Sequence, residues 1–134
     1  MNRPPFARSK TVEDPISGAE LQFTAVNLLD KILINVQIDG AMDTTLDIPL
    51  STGAAVRLAG NGSWDLDIGI EPVVLVGSRA VKINVVATQI AKLVHMTGKG
   101  VLLSIGSRWF GPDEVQETDF DKLQMVLLGV KSVL

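Results

Sequence analysis

Over its first fifty residues the chain alternates apolar and polar positions, and further on the apolar residues change to spacings of three and four. Leu21, Phe23 and Ala25 alternate with Gln22 and Thr24, as a half-buried strand requires. In Lys31–Ile38, Ile32, Ile34, Val36 and Ile38 fall on one face, and Lys31, Leu33, Asn35 and Gln37 on the other. Asp39-Gly40 then marks a turn. Leu46, Ile48 and Leu50 alternate with Asp47 and Pro49. Proline has no amide hydrogen to give a ladder, so this strand ends at Pro49 or lies at an edge. The three segments read as an antiparallel meander.

Pro72–Ser107 reads as strand, turn, helix, turn, strand. Val73–Val76 is a short apolar run closed by Gly77-Ser78. Ile83, Val86, Ala87, Ile90, Leu93 and Val94 then recur at helical spacing on one face. Gly98 and Gly100 stand where a helix end favours a residue that tolerates positive φ. Val101–Ile105 supplies the second strand. A last helix is expected after Thr118 as N-cap, with Asp119 and Asp121 in its first turn and Phe120, Leu123, Leu127 and Val130 at helical spacing.

Two stretches stand apart. Residues 1–14, with the Pro4-Pro5 pair, read as a disordered tail ahead of a single domain over 15–134. Residues 51–70, rich in glycine, read as a long loop or as short strands around Ala55–Leu58 and Trp64–Ile68. The expected fold is α+β: a mostly antiparallel sheet of about six strands with two helices on one face, in the order β-β-β-β-α-β-α plus a short extra strand. The other face then carries Gln22, Thr24, Leu33, Asn35, Gln37 and Asp47. It is a mixed, largely uncharged surface of the kind that docks on another protein, or else lies in solvent.

Composition narrows the function. A chain of 134 residues buries roughly two-thirds of its unfolded surface. A hydrophobic content of 46% and a mean hydropathy of +0.31 leave apolar surface to spare for a partner. A net charge of −3 argues against generic nucleic-acid binding. Lys82, Lys92 and Lys131 interrupt the apolar runs, so no membrane span is expected. The absence of cysteine excludes disulfides and thiolate metal sites and fits a reducing compartment. From Asp30 to Glu71 seven acids face only Lys31 and Arg57, a segment that suits a basic surface or a solvated edge.

Candidate chemistry is thin. His95 is the one histidine, near a helix end where an imidazolium would suit the dipole. With no cysteine beside it, a metal centre would rest on carboxylates alone. Neither the Asp65/Asp67 pair nor the Asp119/Asp121 pair comes with the wider ligand set of a calcium loop. Gly77-Ser78-Arg79 precedes a helix, the usual place of a phosphate cradle, but matches no phosphate-loop pattern. Gly98-Lys99-Gly100 follows a helix and has the wrong polarity for an anion. Catalytic residues, cofactor and metal are therefore all expected to be absent. Trp109 and Phe110 cannot both face one core if the strand continues through them, which makes Trp109 a candidate interface anchor.

Two stretches carry a family resemblance. SGAELQFTAVNLLDKILINVQIDGAMDTTLDIPL holds an extended segment, a strand written DKILINV and a third strand after a glycine-containing turn. LVGSRAVKINVVATQIAKLVHMTGKGVLLSIGS holds a Leu-x-Gly strand end, a helix with Ala87 and Ala91, and a Gly/Lys turn into an apolar strand. From about Ser17 onwards the chain resembles the proteasome assembly chaperone 3 and 4 family. The resemblance implies a non-catalytic subunit that pairs with a similar small subunit as a heterodimer. It also implies binding to α-ring intermediates of the proteasome core particle, in the cytoplasm and with the nucleus open as well. The neighbouring chaperone pair of that pathway ends in a hydrophobic–Tyr–any motif; this chain ends Lys131-Ser132-Val133-Leu134 and has no tyrosine. Residues 51–70 depart from the family pattern. The competing readings are a roadblock- or longin-like dimeric adaptor and a small-molecule binder built on Gly77–Arg79.

Overall fold

The computed structural model describes residues 7–49, 72–77, 80–96 and 98–134. Six strands form one sheet: β1 (Ala7–Glu13), β2 (Glu20–Asn27), β3 (Lys31–Ile38), β4 (Thr44–Ile48), β5 (Val73–Val76) and β6 (Gly100–Ile105). Helix α1 (Val81–His95) joins β5 to β6, and α2 (Asp119–Val133) closes the chain after a 3-10 turn at Arg108–Phe110. The expected α+β class holds, with six strands and both helices on one face.

Strand order in space is β1-β2-β3-β6-β4-β5. The segments read as a meander do not all lie side by side: β6 enters between β3 and β4. It runs parallel to β3, with Leu33 opposite Leu102, and antiparallel to β4, with Asp47 opposite Leu102. Val101, Leu103 and Ile105 are buried on the helix side and Leu102 and Ser104 half-buried on the other. A strand apolar enough for two covered flanks belongs in the interior of a sheet. Strand β4 ends at Ile48, one residue before Pro49, and β5 flanks it, so the proline terminates the strand and does not mark an edge.

The expected N-terminal tail needs correction. Ala7–Glu13 pairs with β2 along its whole length, from Ala7 opposite Val26 to Glu13 opposite Glu20. It is the extra strand, and it comes from the start of the chain. Its local sequence gives little sign of this, since only Val12 is apolar and partly buried. Register against β2 supplies what propensity lacks, and Arg8 and Lys10 mark it as a charged, protected edge. The two short strands expected around Ala55–Leu58 and Trp64–Ile68 lie outside the described residues.

The core lies between the sheet and the two helices. Leu21, Phe23, Ile34, Val36, Leu46, Ile48, Leu103 and Ile105 meet Ile83, Val86, Ala87, Ile90 and Val94 from α1, all of them buried. Gly98 takes the left-handed conformation expected of a helix end, with φ 79°. In α2 the buried stripe is Val126, Gly129, Val130 and Val133, with Leu123 and Leu127 on its flank. Phe120, read as part of that stripe, is 65% exposed. The helix turns about Gly129, which lies against the Phe23 ring so closely that a β-carbon there would collide with it.

Candidate partner-binding surface

Pleating sends alternate side chains of each strand to opposite faces, and register then brings them into rows across the sheet. Thr24 is opposite Asn35, Asn35 opposite Ser104 and Ser104 opposite Thr45. On the β1 side Ser9 joins this row, its hydroxyl 3.2 Å from that of Thr24. The Thr45 and Ser104 hydroxyls are 3.1 Å apart. A second row runs through Val26, Leu33, Leu102 and Asp47, and a third through Thr11, Gln22 and Gln37. The structure thus places Gln22, Thr24, Leu33, Asn35, Gln37 and Asp47 on one open face, as their alternation predicts.

The full charges in these rows cancel. Lys31 Nζ reaches across β6 at Gly100, which has no side chain to block it, and donates to Asp47 Oδ1 at 2.8 Å. Glu13 and Glu20 carry charge only at the β1–β2 corner. What remains is a surface of hydroxyls, amides and the apolar side chains of Val26, Leu33 and Leu102, with exposed Val73 and Val76 of β5 opposite Asp47 and Thr45 at its end. Sequence reasoning missed Leu102 and Ser104 because their place depends on β6 being central, and it stopped one step short of Val26 and Thr45, which continue the alternation of β2 and β4. The alternation within GVLLSI is the signal that could have found the two β6 residues.

Trp109 stands apart from this face. The 3-10 turn sends Phe110 into the core and leaves Trp109 half-buried, which resolves the conflict between two adjacent aromatics. Its indole Nε1–H donates to Ser17 Oγ at 3.3 Å, and Lys122 Nζ donates to its carbonyl oxygen at 2.6 Å.

Among the remaining polar candidates, Asp119 has a structural role. Asp119 accepts the Gln116 amide at 2.8 Å and the Lys82 ammonium at 2.9 Å, tying the starts of the two helices together. The Gln116 amide, with Lys82 next, holds its carboxyl below the usual carboxylate range. Thr118 precedes α2 as expected but caps nothing with its side chain. Gly77 lies against the Asp43–Thr44 backbone, while Ser78, Arg79, Asp65 and Asp67 lie outside the described residues. Among the described residues no cluster of three His, Cys, Asp or Glu side chains could hold a metal, and no helix is long and apolar enough to cross a membrane.

His95 is 3% exposed, and neither ring nitrogen has a hydrogen-bond partner. Burial pushes its pKa below the usual 6.5, against a weaker opposing influence of the Ile48 backbone, which faces it outside hydrogen-bond geometry. A pKa depressed by folding makes the neutral form the one that folds. His95 therefore gives its full stability above about pH 6.5, and this is lost as pH falls toward the folded-state pKa, by up to about 1.4 kcal/mol per pH unit. Melting temperatures between about pH 7.5 and 5.5 should fall more steeply for the parent than for His95→Leu. Parallel curves would show that His95 is not the group responsible.

No curated protein sequence matches the chain. Among solved structures it is similar to the crystal structure of a novel chaperone complex for yeast 20S proteasome assembly. The TM-score is 0.70 at 24% identity, over 94% of this chain and 96% of that one. That likeness carries the fold. The sequence profile of the 20S proteasome chaperone assembly proteins 3 and 4 matches residues 5–131, which takes in all six strands, α1 and all but the last two residues of α2. A profile spanning all the elements that build the open face settles the family: the chain belongs to the 20S proteasome chaperone assembly proteins 3 and 4 and is a proteasome assembly chaperone.

Proposed function

We propose that this chaperone works as one half of a pair, joining a similar small subunit through its open sheet face and holding α-ring intermediates of the proteasome core particle. The observation that carries the pairing is the composition of that face. Away from the Glu13–Glu20 corner, a sheet surface with one self-neutralised ion pair and a row of Val26, Leu33 and Leu102 can be covered without stranding a charge. The solved structure it resembles is itself a complex, which supports the same reading. The work asked of the chain is complementarity of shape and charge without turnover.

Native mass spectrometry of the tagged protein, purified gently from its own cells, tests the proposal. The expected result is one similar-sized partner together with proteasome α subunits and no mature β subunits. Recovery of a homodimer with trafficking or kinase-scaffold proteins would overturn it.

A further inference from the structure

A groove of about 610 Å³ opens at the end of the sheet, between the turn that follows β3 and the loop that follows β6. None of the open-face residues named above lines it. Its apolar lining comes from Ile38, Ala41 and Trp109, and its charged lining from Asp39, Asp43 and Arg108. The size is that of an ordinary ligand site.

The lining is held in place before anything binds. Phe110 meets the Trp109 ring edge-on, with centroids 5.1 Å apart and planes at 72°. Lys122 Nζ lies 5.4 Å from the Trp109 ring centroid, and Ser17 accepts the indole N–H. Asp43 accepts the Ser107 amide at 2.8 Å and the Ser107 hydroxyl at 2.7 Å. These bonds, the hydroxyl's above all, keep its carboxyl below the usual range and ionised. Asp39 adopts a left-handed backbone with φ 50° and accepts the Glu20 amide at 2.9 Å. Both carboxylates and the indole are thus fixed, and a fixed surface loses little entropy on binding. Arg108, exposed and without an ion pair among the described residues, is the one cation in the lining against two anions.

We infer that this groove receives an extended segment of a protein partner bearing an arginine or lysine side chain, laid on the Trp109 ring and facing Asp39 and Asp43. Lys122 already lies over the Trp109 ring from outside the groove lining, so the two carboxylates carry most of the attraction for a second cation and the ring adds to it from the groove side, while the charge of the lining disfavours an acidic segment. The inference rests on the chaperone reading and assigns the groove to α-subunit contact, with the open face left free for the paired subunit.

The test has two arms. In the first, the full-length protein is titrated with acetyl-Gly-Arg-Gly-amide and with acetyl-Gly-Glu-Gly-amide while the Trp109 indole N–H resonance is followed by NMR, assigned with Trp109→Phe. The arginine peptide should move it and the glutamate peptide should not. In the second, binding of recombinant proteasome α subunits is compared for the parent, Asp39→Asn and Arg108→Ser. Asparagine tolerates the left-handed backbone and keeps an oxygen for the Glu20 amide, so Asp39→Asn removes the charge alone. It should bind about 3- to 10-fold more weakly and Arg108→Ser about as much more tightly, with the gap narrowing at high salt. An indole that ignores the arginine peptide or answers both peptides alike would overturn the inference, and so would two variants that bind as the parent does. A parent that answers the arginine peptide but binds no α subunit would sink the chaperone assignment of the groove while leaving its chemistry intact.

Discussion

Gly129→Ala is expected to lower the melting temperature by on the order of 10 °C. An added β-carbon at this position would collide with Cζ, Cε1 and Cε2 of the Phe23 ring. Phe23 is fully buried, in the strand on which α2 rests, so the ring has no solvent to move into. Alanine gains about 1 kcal/mol over glycine in helix propensity. Overpacking a filled core typically costs about 1–3 kcal/mol and occasionally more, and here the intruding atom meets a rigid ring and not the end of a flexible chain. The collision wins, for a net loss of about 2 kcal/mol, which in a domain of this size corresponds to the stated shift. Thermal unfolding followed by circular dichroism measures it. Phe23→Leu in the alanine background should recover part of the loss, with a coupling energy of about 1 kcal/mol or more. A neutral or stabilising Gly129→Ala would mean that α2 does not pack on Phe23 in this way.

The second large effect concerns pairing. Leu33→Lys combined with Asn35→Lys should abolish association with the paired subunit while leaving the isolated chain folded. Both positions are half-buried on the open face, in line with Leu102 and Ser104. In the free protein two lysines there reach solvent with their stems along the sheet, so folding is spared. Under a partner, each ammonium would be buried without a counter-ion, because Asp47 is already engaged by Lys31. Uncompensated burial of a charge costs several kcal/mol, which weakens binding by roughly a hundred-fold or more. Sedimentation velocity of the mixed subunits measures the association, and near-UV circular dichroism of the variant alone confirms its fold. Undiminished association of a folded variant would remove this face from the pairing surface.

Much of the architecture was written in periodicity. Val73–Val76 and the stripe from Ile83 to Val94 stand where their spacing puts them, because period two and period three to four are properties of the local chain. The six candidate residues of the open face follow from alternation alone, whatever order the strands take. The second helix was less legible. Phe120 has the right spacing but is exposed in the first turn, whereas Gly129 shows no hydrophobic signal and makes the tightest approach. A position used for the absence of a side chain cannot be found by searching for apolar ones. The adjacent Trp109 and Phe110 posed a conflict that a 3-10 turn removes, sending one ring to the core and the other to the groove.

By itself, then, the amino-acid sequence determined that β2 to β6 are strands and α1 and α2 helices, which faces of β2, β3, β4, β6 and α1 are buried, and that the exposed sheet face is nearly free of charge. These depend on spacing and side-chain chemistry within a few residues. The tertiary structure alone decided that Ala7–Glu13 is a strand, that β6 divides β3 from β4, and that Lys31 finds Asp47 across Gly100. It also brought Asp39, Asp43, Arg108 and Trp109 around one groove. Each of these depends on contacts between residues distant in the chain. Register with a neighbouring strand can order a segment of weak propensity, and the place of a strand within a sheet is set by how much apolar surface both its flanks must cover.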